Sequence, residues 1–151
     1  MKIQLIDHTD INIVEFVVTE KDEECSFYTE KSKYLHGSVF SILQSSFSLS
    51  NKDYAYYELV RFDDQNLISL RNHLQDHFSR LKSAGALPQF EAYLLKQVGG
   101  IDFLNELKTF YPNWKITWEA VRDQLLEVYI DLLEMIDLCI DDDKTFWVKG
   151  Y

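Results

Sequence analysis

Residues 117–140 constrain the fold most, because their apolar and acidic residues fall on opposite sides of a helix. At about 100° per residue, the acids occupy a sector of roughly 120°. These acids are Glu119, Asp123, Glu127, Asp131, Glu134, Asp137 and Asp141. The apolar residues that face the other way are Trp118, Val121, Leu125, Val128, Tyr129, Leu132, Ile136 and Cys139. Such a wide apolar arc predicts a long helix, from about Thr117 to Ile140, that is central to the core.

The acidic side of this helix has two interpretations. A charged face is usually the solvated side of an amphipathic helix. Here, however, successive i,i+4 neighbours are both acids, which destabilises a helix by about 0.2–0.5 kcal/mol per pair. We expect Arg122 to lie off the sector and to leave it unneutralised, whereas Ile130 and Leu138 project into or beside it.

The second interpretation is therefore a binding face for a basic partner, with the two apolar residues as contacts within it. The predicted partner-binding residues are Glu119, Asp123, Glu127, Ile130, Asp131, Glu134, Asp137, Leu138 and Asp141.

The rest of the chain predicts an α+β fold that is predominantly helical. KIQLI and INIVEFVV are rich in β-branched residues and flank the turn sequence DHTD, so they predict an N-terminal β-hairpin or small antiparallel sheet. SFYTEK, DYAYYELVRF and KTFWVKGY are further candidate strands. Helical periodicity predicts helices within 34–51, over 63–85, over about 88–98 and across IDFLNELKTFY. With the long C-terminal helix, four to five helices should pack on the sheet.

Composition predicts one domain, 1–151, that can bury a substantial core, since 46% of its residues are hydrophobic. A net charge of −10 argues against binding to nucleic acid and to anionic membrane surfaces, and favours a basic protein partner. The two cysteines, Cys25 and Cys139, stand alone, as is typical of a reducing compartment. No apolar run resembles a signal peptide or a membrane span, so we expect a cytoplasmic protein.

The acidic surplus is concentrated at the two ends of the sequence. Residues 1–30 hold eight acids and two bases, and residues 113–151 hold nine acids and four bases. The middle of the chain is nearly neutral. Sequence alone leaves open whether the two acidic ends form one surface.

The segment HLQDH is the one arrangement that resembles a metal site. His73 and His77 share a helix face at i,i+4, and with Asp76 they look like the inverted zinc-protease signature H-x-x-E-H, with Asp in place of Glu. A third ligand is not evident; Glu91, His36 and Asp102 are the alternatives. A two-His spacing arises easily by chance, so we predict no cofactor and take both histidines as ordinary flank residues of the helix.

Other catalytic patterns are missing from the sequence. No G-x-S-x-G, P-loop or G-x-G-x-x-G segment occurs, and neither cysteine has the basic surroundings of a nucleophile. Three tyrosines in DYAYYELVRF favour core packing, with a contact surface as the alternative.

In size, charge, N-terminal strand pair and helical C-terminal half, the whole chain resembles the immunity proteins that protect bacteria from polymorphic or contact-dependent toxins. The resemblance implies a non-catalytic inhibitor that binds a basic partner, such as a nuclease toxin, and covers its active site. Glu127, Asp131, Glu134 and Asp137 would form the centre of that surface. The alternatives are a homo-oligomeric adaptor that buries Ile130 and Leu138, and a small metal-dependent hydrolase that uses HLQDH.

Overall fold

The computed structural model of the chain describes residues 1–6 and 12–151. Within these residues it contains four strands and five helices, which confirms the predicted α+β class. In chain order they are β1 (Ile13–Thr19), β2 (Lys33–His36), α1 (Gly37–Ser50), β3 (Val60–Phe62), α2 (Asp64–Lys82), α3 (Leu87–Leu95), α4 (Gly100–Phe110), α5 (Trp118–Asp141) and β4 (Thr145–Gly150).

The four strands form one antiparallel sheet in the order β2-β1-β4-β3. β4, predicted from KTFWVKGY, therefore lies between two strands that precede it in the sequence. Glu15 in β1 is the register partner of Tyr34 on one side and of Lys149 on the other. Because side chains alternate along a strand, these three residues share one face of the sheet and Phe16 points to the other.

Helix α1 covers the Phe16 face of the sheet. The Phe16 ring lies 6.1 Å from Phe40 and 6.2 Å from Phe47 of α1, and 5.8 Å from Phe146 of β4. All four rings are fully buried. Burial of large aromatic rings contributes much of the stability of a small core, so this cluster fixes α1 on the sheet.

Helix α5 is the longest element and packs against α2, as its wide apolar arc predicts. Its buried side chains are Val121, Leu125, Val128, Tyr129, Leu132, Leu133, Ile136 and Cys139. From α2 they meet the stripe Leu67, Leu70, Leu74 and Leu81, all of which are buried. Phe90 of α3 closes the far end of this core, with its ring 5.8 Å from Trp118.

Three of the predicted strands differ from the observed ones. Within the described residues, KIQLI forms no strand; Ile6 alone makes an antiparallel bridge, and its partner is Tyr34 of β2. The predicted turn DHTD lies outside the described residues. The SFYTEK prediction is wrong, since the strand begins at Lys33, and only Val60–Phe62 of DYAYYELVRF is a strand.

Helices α2 and α4 begin within one residue of their predicted starts, and their N-cap residues differ. Asp63 occupies the N-cap position of α2, yet its carboxylate pairs with Arg61 at 2.7 Å and makes no capping hydrogen bond. Gly99 is the N-cap of α4. None of the helices in the described part of the chain is both long and apolar enough to cross a bilayer.

Candidate functional site: the acidic face of helix α5

The nine predicted partner-binding residues form one continuous stripe along α5, which we call the acidic face. Five of its acids are exposed, namely Glu119, Asp123, Glu127, Glu134 and Asp141. Asp131, Asp137 and Ile130 are half-buried, and Leu138 is 47% exposed. At 1.5 Å per residue, the stripe from its first acid to its last is about 33 Å long.

The two ends of the acidic face carry cations, contrary to part of our expectation. Arg122 lies off the stripe, but its Nη2 reaches Asp123 Oδ1 at 2.8 Å, so the prediction that it leaves the sector unneutralised is wrong. The long side chain also donates to the Ala84 carbonyl at 2.9 Å. Near the other end, Arg71 of α2 pairs with Asp137. That contact raises the pKa of Arg71, with nearby Asp141 adding to the effect.

The middle of the acidic face stays like-charged. Within the described part of the chain, no ion pair involves Glu127, Asp131 or Glu134. Burial raises the pKa of Asp131, and the charges of Glu134 and then Glu127 raise it further. Lys33 of β2 opposes this shift without cancelling it. The three carboxylates therefore repel one another at neutral pH.

Ile130 and Leu138 differ from the other apolar residues of α5. Leu126, Met135 and Ile140 are partly buried and pack against the core, whereas Ile130 and Leu138 do not pack against the core that the described residues form. Both lie among the acids instead, so they leave apolar surface beside charged groups.

The two acidic ends of the sequence meet in space. Lys21, after β1, bridges Asp143 at 2.8 Å and Asp64 at 3.3 Å, and Lys144 pairs with Glu20 at 3.3 Å. The loop after β1 therefore lies against the C-terminal end of α5. Asp22, Glu23 and Glu24 of this loop are exposed.

The polar side chains of HLQDH make contacts with different residues and do not converge on one point. His77 is buried, and its Nδ1 lies 3.4 Å from Tyr93 Oη, which in turn contacts Tyr129 Oη at 2.8 Å. Burial lowers the pKa of His77. Asp76 pairs with Arg80 on the same helix. His73 is half-buried one turn before His77.

Two of the three alternative third ligands are engaged elsewhere. His36 caps α1 by accepting from Ser38 N, Glu91 pairs with Lys115 at 2.7 Å, and Asp102 lies on α4. Across residues 1–6 and 12–151, no three His, Cys, Asp or Glu side chains are grouped so that they could hold a metal ion.

Both thiols are in surroundings that disfavour a nucleophilic thiolate. Burial, with the charges of Glu15 and Glu23, raises the pKa of Cys25 to about 11. Burial raises the pKa of Cys139 to about 12. At neutral pH both groups are protonated, which suits a packing role and not covalent catalysis.

Sequence reasoning missed a buried carboxylate on the sheet. Glu15 is 1% exposed, and its Oε1 accepts from Tyr28 N at 2.7 Å, Ser32 Oγ at 2.5 Å and Tyr34 Oη at 3.4 Å. Its Oε2 accepts from Tyr151 Oη at 2.7 Å. The available signal was the single acid inside the apolar run INIVEFVV.

Comparisons of this chain with protein-family models, with curated proteins and with solved structures give no match.

Proposed function

We propose that this protein is a non-catalytic binding protein whose acidic face on α5 covers a basic surface of a partner protein. One observation carries the proposal: Glu127, Asp131 and Glu134 form a like-charged cluster that lacks ion pairs with the described residues. Such a cluster opposes helix stability, and a basic partner would relieve that repulsion.

The position of Leu138 supports a protein partner in preference to a small cation. Its side chain is 47% exposed beside Asp137 and Asp141, and Ile130 lies half-buried beside Asp131. Protein interfaces combine an apolar centre with a charged rim. A soluble cation would leave these apolar groups in water.

The resemblance to toxin-immunity proteins suggests the partner to test first, a basic nuclease toxin. Nuclease active sites bind phosphates through positive charge, and a row of carboxylates can occupy the same positive surface. The complex would then be one-to-one, and the inhibitor would act by covering the active site.

A homo-oligomer remains the second proposal, because Leu138 would also suit burial against another subunit. The charge pattern disfavours this arrangement on α5. A two-fold dimer places the same patch on both sides of the interface, so the like-charged carboxylates would face one another. Mass measurements at two salt concentrations distinguish the cases: screening by salt would favour self-association and weaken binding to a basic partner.

Affinity capture from an extract of the source organism, followed by an inhibition assay, tests the main proposal. The wild-type protein should retain a basic protein that elutes with salt and whose nuclease activity is abolished by one equivalent of this protein. The variant Glu127→Gln with Asp131→Asn should bind the same partner more weakly, mainly through a slower association rate.

The matched control removes two exposed acids elsewhere, by Asp53→Asn with Glu58→Gln, and should bind as the wild type does. Equal capture by the α5 variant and the wild type would contradict the proposal. So would a partner whose activity persists in the complex.

A further inference from the structure

A groove of about 580 Å³ lies between α1 and α4, on a different part of the molecule from the α5 contacts described above. Ser38 and Gln44 line it from α1, Tyr56 from the segment before β3, and Asp102, Asn105 and Glu106 from α4. Most of these side chains are polar. This groove is a candidate binding site of its own.

The groove is acidic, and one of its carboxylates is unsatisfied. Asp102 and Glu106 lie one helical turn apart on α4, and no basic residue lines the groove in the described part of the chain. Glu106 Oε2 is buried and makes no hydrogen bond with any described residue. Glu106 as a whole is half-buried and lines the groove beside the exposed Asp102, so the two side chains present negative charge to a ligand.

Gly37, in the wall of the groove, lies close to two other lining residues. Gly37 is buried at the start of α1, and a Cβ there would collide with the Asn12 side chain and lie 2.9 Å from Tyr56 Oη. A side chain at this position would force the Asn12 and Tyr56 side chains to shift. The start of α1 therefore approaches these two lining side chains closely.

Exposed apolar side chains lie in the groove lining, at Tyr57, and at the corner that precedes Asp102. Val98 is 76% exposed and Ile101 is 64% exposed at the corner between α3 and α4, and Tyr57 is 75% exposed in the groove lining. The corner is tied to α1, because Gly99 N donates to the Ser41 carbonyl at 3.3 Å and Ser41 Oγ donates back to the Gly99 carbonyl at 3.3 Å. Exposed apolar side chains around a polar pocket are typical of protein interaction sites.

We propose that this groove binds an arginine side chain of a partner protein, with the apolar neighbours of that arginine seated on Val98 and Ile101. A planar guanidinium offers five donors and can bridge two carboxylates, which fits Asp102 and Glu106. The aromatic ring of Tyr57 gives it a further surface for stacking. This second surface does not depend on the acidic face of α5, and it can be tested without the natural partner.

The test is an NMR titration of the full chain with the peptide N-acetyl-Leu-Arg-Leu-amide and with the same peptide carrying citrulline, which keeps the shape and loses the charge. The arginine peptide should shift the amide signals of Ser38, Asn105 and Glu106, and the citrulline peptide should bind far more weakly. Glu106→Gln should weaken binding of the arginine peptide by about tenfold, because one of the two carboxylates that pair with the guanidinium loses its charge.

Two further variants complete the design. Glu119→Gln removes one exposed charge on α5 and should leave the titration unchanged. Val98→Ser with Ile101→Ser should weaken binding of the tripeptide but leave that of N-acetyl-arginine amide unchanged. Because Glu106 Oε2 is unpartnered, Glu106→Gln should melt at the same temperature as the wild type or higher.

Several outcomes would overturn the proposal. They are equal binding of the citrulline peptide, unchanged binding to Glu106→Gln, and shifts located mainly on α5. If spermidine binds the groove more tightly than the tripeptide does, the site belongs to a small polyamine and not to a protein.

Discussion

The buried carboxylate of Glu15 and the middle of the acidic face use the same chemical group in opposite ways. Glu15 is 1% exposed and accepts hydrogen bonds from four donors, which come from the loop after β1, from β2 and from Tyr151. Glu127 and Glu134 are exposed and lack ion pairs with the described residues. The Glu15 carboxylate links several elements of the fold through its hydrogen bonds, whereas the carboxylates of Glu127 and Glu134 form no ion pair that would link elements within the described residues. An acid whose hydrogen bonds are satisfied within the chain supports the structure, and an acid whose charge is not neutralised is available to a partner.

The largest expected effect comes from Glu15→Ala. The change leaves several buried donors without an acceptor, so the free energy of unfolding should fall by about 3–5 kcal/mol. Chemical denaturation measures the loss. Glu119→Ala, an exposed acid on α5, is the control and should change stability by less than about 0.5 kcal/mol. A loss below about 1 kcal/mol for Glu15→Ala would show that the carboxylate does not hold the sheet face together.

A smaller effect is expected from Tyr151→Phe, which removes one donor to Glu15 and keeps the ring. Oε1 retains its three other donors, so the loss should be about 1 kcal/mol, the usual net contribution of one hydrogen bond. Thermal and chemical denaturation should agree on this value. Combining Tyr151→Phe with Glu15→Ala should add little further loss, since the first change removes a bond that the second has already broken. Full additivity would mean that Tyr151 stabilises the fold by another route.

The acidic face should respond in the opposite direction. Glu127→Gln with Asp131→Asn relieves like-charge repulsion, so the isolated protein should be as stable as the wild type or more stable by about 0.5 kcal/mol. Chemical denaturation at low and at high salt checks this. Added salt screens the repulsion, so the difference in free energy of unfolding between the variant and the wild type should be smaller at high salt. Asp53→Asn with Glu58→Gln again serves as the matched control. A clear loss of stability in the α5 variant would make these acids structural.

The smallest effect concerns pH. The pKa of Asp131 is raised in the folded protein by burial and by Glu134 and Glu127, so the folded state binds this proton more tightly than the unfolded chain does. The charged form of Asp131 therefore destabilises the folded state. Protonation removes this destabilisation as pH falls through the raised pKa. The stability gained by Asp131→Asn should be largest at neutral pH and shrink toward about pH 4, near the unfolded pKa of a carboxyl group. If the stability gained by Asp131→Asn did not change with pH, the gain would come from packing and not from the removed charge.

The helices could be predicted well from the sequence because each is encoded by local spacing. Helix α5 runs from Trp118 to Asp141, close to the predicted range, and its buried side matches the apolar arc. Its charge balance was harder to foresee. Arg71 reaches Asp137 from a helix 66 positions earlier in the chain, a contact that depends on how α2 and α5 pack.

The predicted strands INIVEFVV and KTFWVKGY largely coincide with β1 and β4, whereas the limits of β2 and β3 and the second surface could not be predicted, since both depend on distant parts of the chain. β2 and β3 have only four and three residues, and their partners β1 and β4 fix them. Glu15 finds a donor in Tyr151, 136 positions away. The α1–α4 groove collects residues from separate segments, none of which has an unusual local pattern.

The position of β4 has a consequence for synthesis on the ribosome. β4 joins β1 to β3, so the sheet stays divided until residues 145–150 have emerged from the exit tunnel. Until then β1 offers an unpaired edge, and Phe16 lacks its stacked partner Phe146. Helices α1 to α5 can form meanwhile from local contacts, but the native sheet must wait. A nascent chain of this protein should therefore depend on chaperone protection until β4 has emerged.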